Sequence, residues 1–187
     1  MRNIPISFIL IGISLFFTIA KYIYPEIWIF WLNHFYLWEW NYLVYFIQLF
    51  LSNFIHWDIM HFWMNALFLY LFWYPLELLI WKNKYILFFM FIVFFNGILL
   101  TVFTSYWSNI IGISWFCMAI ISYYVMELKS RNNPEYKWWI TALVLNIWIW
   151  FMPWISLLWH LFGVIGGVIY YYINKDFYKE KYVWESS

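Results

Sequence analysis

The sequence predicts an all-α polytopic membrane protein of six transmembrane helices, and three observations carry that prediction. Hydrophobic residues make up 67% of the 187-residue chain and charged residues 10%, whereas a soluble domain carries roughly 25% charged residues. A chain so poor in charge cannot cover a water-facing surface, so lipid is the solvent for most of it. Six apolar stretches approach the ~20 residues that a helix needs to cross the hydrocarbon. If those six spans alternate, nine of the ten basic residues fall on one side, the pattern of cytoplasmic loops. The aromatic content of 29%, with 17 Trp, fits the same location, because Trp and Tyr collect where an apolar ring meets a polar interface.

The first span runs from about Ile6 to Tyr24. Arg2 ahead of an apolar stretch gives it the start of a signal peptide, but the stretch is too long for a signal core. No small-residue cleavage site precedes Pro25-Glu26, so a retained span is expected. The segment from Pro25 to about Ile55 is aromatic and irregular, with Asn33, His34, Glu39, Asn41 and Asn53 along it. It is too polar for a plain span and too apolar for an aqueous loop, which places it at or partly below the interface. Span two covers about Trp57 to Leu79 and is closed by Lys82 and Lys84. Span three covers about Tyr85 to Phe103, followed by a turn over Thr104 to Asn109. Span four covers about Gly112 to Leu128, and the hydrophilic loop from Lys129 to Lys137 turns at Asn132-Asn133-Pro134. Spans five and six run from about Trp138 to Met152 and from Leu157 to Asn174, hinged near Pro153.

The basic residues put both termini in the cytoplasm and only Lys21 on the other side. A multi-pass protein of the cell membrane is expected, a single domain over residues 1–187 with its core at about 6–174 and a charged tail at 175–187. A net charge of +1 points to no nucleic-acid partner. The single cysteine, Cys117, allows no disulfide within the chain and no paired-cysteine zinc site.

Polar groups inside spans cost about 2.5–3.5 kcal/mol for a central charge on insertion scales, and they mark function by default. His56, His61, Asn65 and His160 stand out, and Ser114 joins them. His61 and Asn65 are four residues apart and share a helix face. Ser114 lies where the outer turn becomes span four, after Gly112, whose backbone tolerates a conformation or a close contact that other residues resist. A helix start there offers N–H groups to a developing anion. His160 begins span six, and Gly163 and Gly167 follow it on nearly one face, open to close approach by another helix. All five polar residues fall in the outer part of the bilayer. If the neighbouring helix is span four, His160 reaches Ser114 and takes its proton during attack on a peptide carbonyl, with His61 and Asn65 as donors to the oxyanion. Each residue also has a plainer reading. A lone intramembrane Ser usually bonds its own backbone, a His at a span end is often interfacial, Asn65 serves as packing glue, and paired glycines serve packing alone. Their coincidence at one depth favours the catalytic reading. No carboxylate or thiolate joins the three mapped histidines at that depth, so no metal site is expected, and nothing calls for a cofactor.

These residues match a family pattern. His56-Trp57-Asp58-Ile59-Met60-His61-Phe62-Trp63-Met64-Asn65 resembles the H-x4-H-x3-N signature of rhomboid proteases. Gly112-Ile113-Ser114 resembles the opening of their GxSG motif, and His160 to Gly167 resembles their H-x2-G-x3-G motif. The resemblance covers the whole six-helix core, and Glu77 falls where the family often keeps a glutamate near the inner end of span two. It implies a rhomboid-like bundle with Ser114 as nucleophile and His160 as general base and acid. Asn65, His61 and the Ser114 backbone N–H would bind the oxyanion, and His56 would be structural. It further implies a membrane-embedded outer hairpin, span five as a lateral gate, and substrates that are single-span membrane proteins cut near the outer edge of the bilayer. The sequence departs from the pattern in places. Trp115 replaces the last Gly of GxSG, Met118 stands where many members carry Tyr, and Trp38-Glu39 is the nearest echo of a Trp-Arg pair. Trp73 and Trp81 replace glycines around the glutamate. Trp115 motivates the alternative of a pseudoprotease that binds membrane helices without cutting them. A small transporter would instead need a charged relay or broken helices at the midplane.

Overall fold

The computed structural model describes residues 4–80, 82–103, 108–149 and 157–185. Most of them are helical. α1 (Ile6–Ile23) covers the first predicted span. The irregular segment becomes a 3-10 turn (Pro25–Phe30), a two-residue strand β1 (Leu32–Asn33), a single-turn α2 (Phe35–Trp38), the helix α3 (Tyr42–Leu51) and a second 3-10 turn (Ser52–Phe54). The remaining predicted spans correspond to α4 (Ile59–Ile80), α5 (Lys82–Phe103), α6 (Ser114–Ser130), α7 (Tyr136–Ile149) and α8 (Leu157–Glu185), with β2 (Asn109–Ile110) just ahead of α6. The expected turn at Thr104 to Trp107 and the expected hinge at Pro153 lie outside the described residues.

Among the described residues, three helical stretches are long and apolar enough to cross a membrane: α1, α5 and α8 from Leu157 to Lys175. A fourth crossing would combine Tyr42–Phe54 with Ile59–Phe72, bent by 78° at the link between them. α6 has 17 residues, about 25 Å at the 1.5 Å rise of a helix, shorter than the ~30 Å hydrocarbon, and the described part of α7 has 14. α8 runs beyond Asn174 into the charged tail, since no Gly or Pro follows Gly167 to stop it.

The chain divides into two compact units, one ending at Cys117 and one starting at Met118. In the first unit, α1 is fastened at both ends by α4 and the residues around it. Pro5 precedes α1 without a side-chain cap, so the helix start lacks a local acceptor for its free N–H groups. Glu77, near the end of α4, supplies one: both its carboxylate oxygens accept from the Ile6 N–H, at 2.9 and 3.0 Å. A carboxylate at a helix N-terminus also answers the positive end of the dipole. Lys82 donates to the Ile4 carbonyl at 2.6 Å, and the hydroxyls of Ser7 and Tyr85 meet at 2.8 Å.

At the other end of α1, Lys21 donates to the carbonyls of His56 and Trp57, the first at 2.8 Å. The one basic residue that breaks the charge asymmetry thus clamps the link that leads into α4. Lys21→Met is expected to lower thermal stability in detergent by about 1 kcal/mol, because two carbonyls lose their donor. An unchanged unfolding midpoint would dismiss the clamp.

The irregular segment is tied down by polar side chains. Asn41 caps α3 by accepting from the Val44 N–H. Gln48, almost fully buried, donates to the Ile29 carbonyl at 2.6 Å and accepts from the Asn33 N–H at 3.1 Å. β1 pairs antiparallel with β2, Leu32 opposite Ile110 and Asn33 opposite Asn109, and the two asparagine side chains bond at 2.7 Å. α3 meets α5 where Leu49 Cδ1 fills the space a Cβ on Gly97 would take, 2.1 Å away, and Tyr45 bonds Thr101. Desolvation holds the buried His34 imidazole of this segment below its ordinary value, so it is neutral at pH 7.

In the second unit, α6 and α8 approach at backbone distance. A Cβ on Gly167 would lie 2.1 Å from Ser122 Oγ and 2.3 Å from the Ala119 carbonyl oxygen. Around this contact, Tyr123 packs against the rings of Tyr170 and Tyr171. α6 ends on the buried Glu127, paired with Arg131 at 2.6 Å. Asn132, at φ +53°, turns the chain toward α7, as the predicted Asn-Asn-Pro turn requires; Asn tolerates this left-handed backbone.

Candidate functional site

The site residues of the first unit collect where α4 and α6 begin. Asp58 precedes α4, and its Oδ1 accepts from the His61 N–H at 2.7 Å. This is an N-cap, which satisfies one of the free donors of the helix start. It also fixes the turn from which His61 projects. The Trp57 N–H donates to His61 Nδ1 at 3.5 Å. A neutral imidazole that accepts at Nδ1 carries its proton on Nε2, so Nε2–H is a donor. His56 is fully buried. Its ring meets the His61 ring edge-on with centroids 5.0 Å apart, and its Nδ1 lies 3.3 Å from Thr18 Oγ1.

Gly112 sits against the His61 ring. Its φ is +96°, and a Cβ there would lie 2.9 Å from His61 Cε1 and 3.0 Å from Nε2. Both uses expected of this glycine apply, the unusual backbone and the close contact. Its N–H donates to the Ser52 carbonyl at 2.9 Å, so the segment beyond β2 is held by the 3-10 turn before α4.

Two residues further on, Ser114 is the first residue of α6. Cys117 follows at i+3 and shares its helix face. Cys117 Sγ donates to Asn65 Oδ1 at 4.0 Å. Asn65 is 7% exposed, and its Nδ2 has no hydrogen-bond partner among the described residues. His61 and Asn65, one turn apart on α4, therefore meet the start of α6 at Gly112 and Cys117. Ser114 lies between those two points of contact in the chain. Trp115, turned about 100° from Ser114 on the helix, is buried at 3% exposure.

In the second unit, His160 is the fourth residue of α8 and is buried. Gly163 and Gly167 are buried on the same side of the helix, and Gly167 makes the contact with α6 described above. The sequence-predicted residues thus fall into two groups: His56, His61, Asn65, Gly112 and Ser114 in the first unit, His160, Gly163 and Gly167 in the second. Two residues join the candidate site from the folded structure: Cys117 as a neighbour of Asn65, and Asp58 as the cap of the helix that carries His61. Spacing offered a signal for both, i+3 from Ser114 and i−3 from His61.

The Rhomboid domain family matches residues 43–176. The match begins in α3, ends in α8 and takes in every residue of the candidate site. No curated protein matches the chain. With well over half of its length matched and the motif residues placed at the starts of three helices, the chain belongs to the rhomboid family.

Proposed function

We propose that the chain is an intramembrane serine endopeptidase that cuts single-span membrane proteins near the outer side of the bilayer. Rhomboid proteins are usually serine intramembrane proteases that act on membrane-protein substrates. In this reading Ser114 Oγ attacks the scissile carbonyl and His160 takes its proton, then returns it to the leaving amine. Ser114 and His160 work as a dyad, without the carboxylate that orients the histidine of a triad. The Asn65 Nδ2, the His61 Nε2–H and the Ser114 backbone N–H stabilise the oxyanion. The six spans alternate with both termini in the cytoplasm of a cell-membrane protein, and His56 braces the outer end of the site.

The observation that carries the proposal is the pair of contacts flanking Ser114: His61 against Gly112 and Asn65 against Cys117. Two side chains with a donor N–H stand beside the start of the serine's helix, one with that N–H buried and unpartnered among the described residues. A buried donor without a partner costs stability, and an oxyanion is a partner that recovers the cost during catalysis. The approach of α8 to α6 at Gly167, seven residues after His160, supports His160 as the base.

Asn65→Ala and His61→Ala are each expected to lower kcat about 10²-fold with little change in KM, the usual effect of removing one oxyanion donor. The measurement is cleavage of a single-span substrate in proteoliposomes. Wild-type kcat in both variants would remove Asn65 and His61 from the site. The second reading, a pseudoprotease, rests on Trp115. Binding of a membrane helix with no cleavage and no labelling by a fluorophosphonate would favour it.

A further inference from the structure

We propose that Cys117 is a positioning residue of the oxyanion site, its thiol fixing the Asn65 amide with the donor end toward the reacting carbonyl; this rests on the protease reading above. An Asn amide has an acceptor end and a donor end, and a half-turn about its last bond exchanges them. Only one orientation serves an oxyanion, because the other sets an oxygen lone pair against the developing negative charge. The Asn65 side chain therefore needs a neighbour that tells its two ends apart.

Cys117 is such a neighbour. It is free, 1% exposed, and its Sγ faces Asn65 Oδ1 at 4.0 Å, while Asn65 Nδ2 is buried without a partner among the described residues. A thiol is a weak donor and a weaker acceptor. With Oδ1 toward sulfur, the S–H has an acceptor and Nδ2 is left to the substrate. With the amide reversed, an N–H faces sulfur and the S–H loses its acceptor. Burial at this depth removes the water that would otherwise make the two orientations equivalent, and a hydrogen bond counts for more in that low dielectric. Cys117 also lies on the Ser114 face of α6, so the thiol sets the amide from the helix that carries the nucleophile.

The test compares Cys117→Ala, Cys117→Val and Cys117→Ser in proteoliposomes, each also in an Asn65→Ala background, with thermal stability recorded in parallel. Alanine underfills the site and valine overfills it, but neither donates, so a shared loss is not a packing effect. Both are expected to lower kcat about tenfold at unchanged KM, the size of one lost hydrogen bond. Serine, with a hydroxyl donor, recovers most of that loss. In the Asn65→Ala background, none of the three substitutions lowers kcat further. Wild-type kcat in the alanine and valine variants, a serine variant as slow as valine, or losses that multiply with Asn65→Ala overturn the proposal. A wild-type protein that neither cleaves nor labels overturns the protease reading itself. A wild type that cleaves, with Asn65→Ala slow and Cys117→Val fast, overturns the role of Cys117 alone.

Discussion

Ser114→Ala and His160→Ala are each expected to reduce cleavage of a reconstituted single-span substrate by on the order of 10⁴-fold or more, and a fluorophosphonate is expected to label the wild type but not Ser114→Ala. The size follows from the chemistry. A serine hydroxyl is a poor nucleophile until a base removes its proton during attack, so loss of either partner removes covalent catalysis as a whole rather than a fraction of it. The two variants are also expected to be non-additive, the double variant no slower than either single one, because nucleophile and base act as one unit. Donors at Asn65 and His61 would still bind polarised carbonyls, so residual affinity for the substrate is expected to persist in Ser114→Ala. Cleavage that survives in that variant, or labelling that moves to another residue, ends the serine-protease reading.

Gly167→Ala is expected to cost several degrees of thermal stability in detergent and most of the activity. The added methyl would stand 2.1 Å from Ser122 Oγ and 2.3 Å from the Ala119 carbonyl oxygen. The serine can rotate away, but the carbonyl belongs to the backbone of α6 and cannot, so the two helices must separate. Overpacking of this kind costs typically about 1–3 kcal/mol. It also breaks a contact that membrane helices rely on, since packing between small residues substitutes for the hydrophobic drive that lipid removes. Gly12→Ala is the internal control. Nothing lies within 4 Å of a Cβ at Gly12 in α1, so alanine there is neutral or stabilising by its higher helix propensity. A Gly167→Ala protein as stable as the wild type would deny the close helix contact. Equal destabilisation by Gly12→Ala would assign the loss to the loss of glycine itself.

Much of the candidate site is legible as residue spacing, because those signals are local. His61 and Asn65 share a face by spacing alone, and so do His160, Gly163 and Gly167. Gly112 was expected to serve an unusual backbone or a close contact, and it serves both. The irregular segment was expected to be neither span nor loop, and it is a run of short turns around α3. The β1–β2 pairing was not legible, because two-residue strands have no periodicity. Asn33 and Asn109 find each other only through the folded chain.

Lipid as the solvent, the positions of the helices along the chain and the candidate polar residues can all be read from the amino-acid sequence. Each of these depends on composition or on spacing within one helix. Folding alone brings Glu77 to the start of α1, Lys21 to the carbonyls ahead of α4 and Cys117 to Asn65. These contacts join residues 35 to 71 positions apart. Such pairings depend on which helix faces pack together, and in an apolar chain nearly every face is hydrophobic enough to pack.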